Sequence, residues 1–438
     1  MRRVLGLRDL VLISAASIGP AFSLATTMGP MVDAGGSATP LALLLVTLIM
    51  VCVAFAYRRL GARYPNAGSA YSWVRVAFGP TFGAYAAWVL IAANVFAIFT
   101  TALPAGIYTL SLVAPGLAER PVADGVVGAL WVLAAGTILY RGLRPTSRIA
   151  NSLAIAELVV LVVAAAVAAL RPAVANAVAA APPPGTGAMI GAVAIGIWMI
   201  DGWEVSASTA EEARDATSGP GLGGLGGLLI TAVVMWLCIA AFSRVGTAAG
   251  FSAHEDDALG YVGAAIGGGL WRIAIIATVL VSLAASLQTT LLYLTRSFLA
   301  MGRDGVLPAR FGVLDRRDQP GFAVIVLTAL GVAGMVASAF SASVRSAFEF
   351  ILTGTVDFLG VLFLFSAAAA VRIFLRDRTA WFDGVVLPFC ASLALFGVLS
   401  VAVAQSERGT QIFLAAVALA GVPFAVWRSW GRSSTVQL

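Results

Sequence analysis

The chain has 438 residues, 60% hydrophobic and 11% charged, with a mean hydropathy of +0.96. Soluble domains run nearer a quarter charged, so a soluble enzyme, a disordered chain and a secreted disulfide scaffold are excluded. Twelve bilayer-crossing helices of ~20 residues need about 240 apolar-dominated residues, a number this composition fits. The formal net charge is +6, and all 27 basic residues are Arg. In a membrane chain that excess reads as cytoplasmic anchoring charge, not as a surface for nucleic acid.

Arg2 and Arg3 precede an apolar stretch that runs to about residue 32 without a small-x-small cleavage signal, so a retained first span is expected rather than a signal peptide. Apolar runs predict twelve spans, near 9–33, 39–57, 81–113, 122–140, 149–170, 187–212, 224–246, 262–299, 321–341, 347–371, 383–404 and 410–427. With the N-terminus inside, 21 Arg fall on inside segments. Six fall outside: Arg120, Arg171, Arg244, Arg272, Arg345 and Arg408. The bias places both termini in the cytoplasm. The single His, His254, lies in an acidic outside loop with Glu255, Asp256 and Asp257. Cys52, Cys238 and Cys390 sit in apolar runs and have no metal or redox spacing. No metal or cofactor is expected.

Span one contains Ser17-Ile18-Gly19-Pro20 near mid-depth. Pro20 has no N–H and clashes with the preceding turn, and Gly19 tolerates unusual dihedrals, so the helix should break there. Broken backbone inside a bilayer is tolerated where it lines a cavity or is buried in protein. In span three, Asn94, Thr100 and Thr101 are cavity candidates or interhelical hydrogen-bond formers. Span five carries Glu157, a cation or proton candidate or a carboxyl bonded to a neighbouring helix. Span six reads Trp198-Met199-Ile200-Asp201-Gly202-Trp203-Glu204. Carboxyls at that depth should face a cavity or a partner, so a second break is expected. The stretch Gly221-Leu222-Gly223-Gly224-Leu225-Gly226 matches G-x-G-x-x-G but enters span seven with no preceding strand. It reads as a close-packing surface and not as a nucleotide site. Span ten carries Asp357, roughly as deep as Glu157 is in span five.

Breaks in spans one and six are five spans apart, and Glu157 and Asp357 occupy the fifth span of each set. Paired broken helices at matching positions point to inverted repeats. The predicted fold is therefore all-α and integral to the membrane. Twelve transmembrane helices form a 5+5 inverted repeat with broken helices one and six, plus two C-terminal helices. Residues 1–171 form the first repeat, 172–372 the second, and 373–438 the two added spans and tail.

Four stretches carry a family resemblance. They are Ser17-Ile18-Gly19-Pro20-Ala21-Phe22; Tyr64-Pro65-Asn66-Ala67-Gly68-Ser69-Ala70-Tyr71-Ser72-Trp73 with Phe78-Gly79-Pro80; Asp201-Gly202-Trp203-Glu204 with Glu211-Glu212; and Arg296 with Met301-Gly302-Arg303-Asp304-Gly305-Val306-Leu307-Pro308. In this order and near these helix ends, the chain resembles the amino acid–polyamine–organocation permeases. The resemblance implies a secondary transporter working by alternating access. It implies a substrate held at the two breaks: Ser17, Ile18, Gly19, Pro20, Ala21 and Phe22 on one side, Trp198, Asp201, Gly202 and Trp203 on the other, with Asn94 near by. In such permeases span-one N–H groups receive a carboxylate and span-six carbonyls an ammonium. This chain departs in having Pro20, which removes one donor. It also has no Lys for the proton coupling that some relatives place in span five, leaving Glu157 as the nearest candidate. Asp357 and Glu204 are further coupling candidates. Ser282 and Ser286, one turn apart in span eight, suit a sodium ion or close helix packing.

The expected function is secondary active transport of an amino acid or related amine across the cell membrane. The expected partners are that small molecule, the lipid bilayer, and a coupling proton or sodium ion. A polyamine or organocation carrier or exchanger is the alternative, in which Asp201, Glu204 and Asp357 meet ammonium groups. A non-transporting sensor with a transporter fold is a further one. No enzymatic activity is expected.

Overall fold

The structure is a computed structural model that describes residues 1–340 and 344–430. Arg432, counted above with the cytoplasmic charges, lies outside the described residues, as do the side chains of Arg345 and Arg428. Sixteen α-helices follow in order: α1 (Leu7–Ile18), α2 (Pro20–Gly35), α3 (Thr39–Arg63), α4 (Ser69–Phe78), α5 (Pro80–Val113), α6 (Pro121–Arg141), α7 (Leu143–Leu170), α8 (Thr186–Met199), α9 (Val205–Ser208), α10 (Gly219–Val245), α11 (Ala248–Ala253), α12 (Ala258–Arg303), α13 (Gly321–Ser338), α14 (Val344–Phe374), α15 (Leu387–Gln405) and α16 (Arg408–Trp430). Among the described residues only two isolated β-bridges occur, Leu5 with Ala213 and Ala177 with Thr247.

Ten helical runs among the described residues are long and apolar enough to cross a membrane. The first, Leu7–Arg63, contains α1, α2 and α3, and α8 is apolar but shorter. Large apolar side chains such as Leu48, Val159, Phe396 and Leu419 point outward. That suits a hydrocarbon solvent, where an exposed Leu carries no penalty. The protein is a multi-pass membrane protein.

Local chemistry sets the helix ends. Proline opens α2, α5 and α6 at Pro20, Pro80 and Pro121, where its missing N–H costs nothing and its φ is already helical. Asp215 accepts bonds from Ser218 and Thr217 at the start of α10. Chiefly the Ser218 bonds hold its carboxylate well below the usual range. Span eight exceeds the predicted 262–299: α12 begins at Ala258 and bends at Gly267–Gly268.

Around the site, α1 packs on α10, while α2 packs on α8 and α12. The small-residue run of α10 makes the first contact possible. A Cβ on Gly227 would come within 2.5 Å of the Ser14 side chain, and one on Gly223 within 2.5 Å of Leu10. Helices α5, α12 and α14 close the site from the other sides, and α16 lies outside, against α5.

Candidate functional site

Both interruptions are present as breaks in the backbone. Gly19 takes a left-handed conformation (φ 60°, ψ 62°) between α1 and α2. A Cβ there would be strained by its φ and would stand 2.6 Å from Ser286 Oγ and 3.2 Å from Ser282 Oγ. The second break spans residues 200–204, between α8 and α9. Its hinge is Gly202 (φ 104°), whose Cβ would fall 2.7 Å from the Ser17 carbonyl oxygen. The two broken backbones therefore touch at Ser17 and Gly202. Freed backbone groups find side-chain partners. Ser14 Oγ donates to the Trp203 carbonyl (2.8 Å), Ser286 Oγ to Ser17 (2.8 Å) and Ser23 Oγ to Ile18 (2.8 Å).

A chamber lies at this meeting point, with Ser17, Ile18 and Phe22 on one wall and Trp198, Asp201, Gly202 and Glu204 on the other. Helix α5 adds Asn94 and Thr101, and α12 adds Ser286, Thr290 and Tyr293. Its residues include two acids and no base. Glu204 Oε2 accepts from Gly202 N at 3.1 Å, whereas Asp201 Oδ1 is buried with no hydrogen-bond partner. Trp198 Nε1 is equally unpartnered, and its ring meets Phe22 edge-on at 6.3 Å. The chamber holds about 30 Å³ of free volume, enough for a water or two at roughly 10–15 Å³ each. An amino acid enters only if a wall moves.

Four of the residues expected at the substrate, Gly19, Pro20, Ala21 and Trp203, do not line the chamber. Gly19 faces α12 and Ala21 faces α7 instead. Ala21 N donates to Glu157 Oε2 (3.5 Å) and Phe22 N to Ser282 Oγ (3.1 Å). Ser23 N closes onto the Gly19 carbonyl (2.8 Å). With Pro20 lacking an N–H, the first turn of α2 thus has its donors on protein partners, turned from the expected carboxylate cradle. Glu157 itself is fully buried, with Oε1 unpartnered, at the positive end of α2. Trp203 also turns away. It stacks on Phe363 (5.7 Å) and meets Tyr57 edge-on (5.0 Å). Asp357 lies outside the chamber, in a second cavity across Trp198.

Sequence reasoning did not single out Ser23, Thr290 or Tyr293. The signal was present: 282, 286, 290 and 293 recur at helical spacing along one face of α12. It also missed a lock below the chamber. Arg296 pairs with Glu212 through two bonds (3.1 and 2.9 Å) and with Gln319 (2.7 Å), all buried. Arg303 pairs with Glu211 (2.8 Å). Tyr71 donates to Asp304 (2.5 Å) and Arg75 pairs with the same carboxylate (3.3 Å). Glu211 also accepts from Ala67 N (3.2 Å). Three of the recurring sequence stretches thus meet at one end of the bundle.

Comparison with known proteins agrees with these features. A family model described as amino acid permease matches residues 5–429. The chain is 28% identical over 341 residues to a branched-chain amino acid permease of Lactococcus lactis, covering 71% of this chain and 72% of that one. It is 27% identical over 342 residues to the vacuolar cationic amino acid transporter 4 of Arabidopsis thaliana, covering 73% of this chain and 54% of that one. An uncharacterized transporter of Mycobacterium tuberculosis is 29% identical over 161 residues, 37% of this chain and 34% of its own length. With two touching helix breaks around a polar chamber and a match running nearly end to end, the chain belongs to the amino acid permease family of membrane transporters.

Proposed function

We propose that the protein moves an amino acid across the cell membrane by alternating access, binding it in the chamber between the two breaks. The observation that carries this reading is the contact of Gly202 with Ser17 beside the Asp201 carboxyl, whose Oδ1 is buried and unpartnered. An ammonium group between Asp201 and the Ser17 and Ile18 carbonyls would satisfy that carboxyl, and the hydroxyls of Thr290 and Tyr293 offer donors to a substrate carboxylate. The closed chamber is one state of the cycle, and substrate requires another with the walls apart.

The arrangement we propose is twelve spans in two inverted sets of five. The first runs from the α1–α2 pair through α7 (residues 1–171) and the second from the α8–α9 pair through α14 (172–372). Spans α15 and α16 are added after them (373–438). Its support is a shared pattern: Glu157 on α7 reaches the first break, and Asp357 on α14 shares a cavity with Trp198, at the second. The arginine bias supports cytoplasmic termini. For coupling, Glu157 is the proton site, since it sits against the start of α2 with one oxygen unpartnered. Ser282 already accepts from Phe22 N and Ser286 already donates to Ser17, which speaks for packing over a sodium site.

The named relatives divide between branched-chain and cationic substrates. Two acids and no base around the chamber favour a substrate with positive charge, and keep a polyamine or other organocation as the second reading. Uptake into proteoliposomes tests both. Labelled arginine or leucine should accumulate saturably and be displaced by the other amino acids that fit. Displacement by 1,4-diaminobutane alone favours the organocation carrier, and binding without flux or exchange under any gradient marks a sensor.

A further inference from the structure

A second cavity, of about 200 Å³, lies on the far side of Trp198 from the chamber. It is walled by Thr26, Thr27 and Pro30 of α2, Ile195 of α8, Val356 and Asp357 of α14, and the end of α15. Asp357 is 7% exposed, and its Oδ2 has no hydrogen-bond partner. An acid within a spanning helix costs roughly 2.5–3.5 kcal/mol and is seldom left without a function. Neither Thr26 nor Thr27 relieves it. Thr26 donates to the Phe22 carbonyl (3.1 Å), and Thr27 to that of Ser23. Among the described residues no basic residue lines the cavity.

The missing partner has a definite chemistry. It carries a positive charge with several N–H donors, and it brings an apolar stem to lie against Ile195, Val356 and Pro30. The face of Trp198 adds cation–π attraction for such a group. The space is more than six times that of the chamber, ample for an alkylammonium group. Trp198 is the common wall of the two cavities, with Asp357 on one side and Asp201 on the other. We propose that this cavity is a second ammonium site, where a primary amine pairs with Asp357 before Trp198 swings and admits it to Asp201. That the amine is a transported substrate rests on the transport reading above; the site itself does not.

The n-butylammonium ion serves as the probe, titrated calorimetrically into the full chain in lipid nanodiscs. The expected result is saturable binding that falls at least ~tenfold in Asp357→Asn. It should also fall in Val356→Trp, which fills the cavity without touching charge. Binding should survive within about threefold in Asp357→Glu. The Glu variant guards against a merely misfolded Asn variant. Absence of binding to the wild-type chain overturns the site, as does unchanged affinity in Asp357→Asn. Flux separates this from the transport reading. Butylammonium binding at Asp357 in a chain that moves no amino acid leaves the site standing and removes the carrier. Normal flux with Asp357-independent binding does the reverse.

Discussion

At the scale of single residues, the site depends on two glycines and two buried carboxyls. Gly19 combines a left-handed backbone with contact against Ser286 and Ser282. Gly19→Ala therefore costs about 1–2 kcal/mol in backbone strain alone, plus displacement of α12. Initial uptake rates in proteoliposomes should drop at least ~tenfold, a factor worth 1.4 kcal/mol. Glu157→Gln should leave exchange of substrate across the membrane intact while uptake ceases to follow an imposed pH gradient. A gradient response that survives the change removes Glu157 from coupling. The break at Gly19 was legible because Pro20 forbids a continuous helix whatever packs around it. The direction of the freed N–H groups was not, since it depends on where Glu157 and Ser282 arrive from α7 and α12. Trp203 shows the same limit. It lies between Gly202 and Glu204 in sequence, yet the unwound turn sends its ring to Phe363 and Tyr57.

At the scale of elements, a buried ion pair ties α12 to the segment after α9 at one end of the bundle. Arg296 on α12 and Glu212 after α9 are both buried, and the Glu212 carbonyl receives Val4 N (2.8 Å) and Leu5 N (3.1 Å). Removing one partner strands a buried charge at a cost of about 3–5 kcal/mol, whereas replacing both with apolar residues is often neutral. Arg296→Met should thus lower the melting temperature of the purified protein markedly, and Arg296→Met/Glu212→Leu should recover most of the loss. An equal loss in the double variant contradicts this account. The lock escaped sequence reasoning because its partners lie 84 positions apart and Arg303 and Arg296 resemble topology anchors by composition. The polar face of α12, by contrast, was readable from its spacing once Ser282 and Ser286 were noted.

At the scale of the whole molecule, hydropathy alone identified a membrane bundle, since 11% charge leaves too little polar surface for water. It also distributed the arginines: Arg58, Arg59, Arg141 and Arg144 should all face the cytoplasm. Single cysteines introduced near Arg144 in a cysteine-free background should react with impermeant maleimide only after the membrane is opened. Labelling from outside intact cells reverses the proposed orientation. What hydropathy does not carry is how the spans pair, because lipid-facing and partner-facing apolar residues look alike. Packing of α1 on α10 rests on Gly223 and Gly227, the first of which lies in the stretch that resembled a nucleotide motif by spacing.

The central claim is that substrate binds between the two breaks, with its ammonium on Asp201. An experimental structure of the chain with its transported amino acid bound tests this most directly. The account predicts the ligand enclosed by Ser17, Phe22, Trp198 and Gly202, its ammonium within about 3 Å of an Asp201 oxygen. A ligand seated away from both breaks, or bound with Asp201 turned from it, contradicts the account.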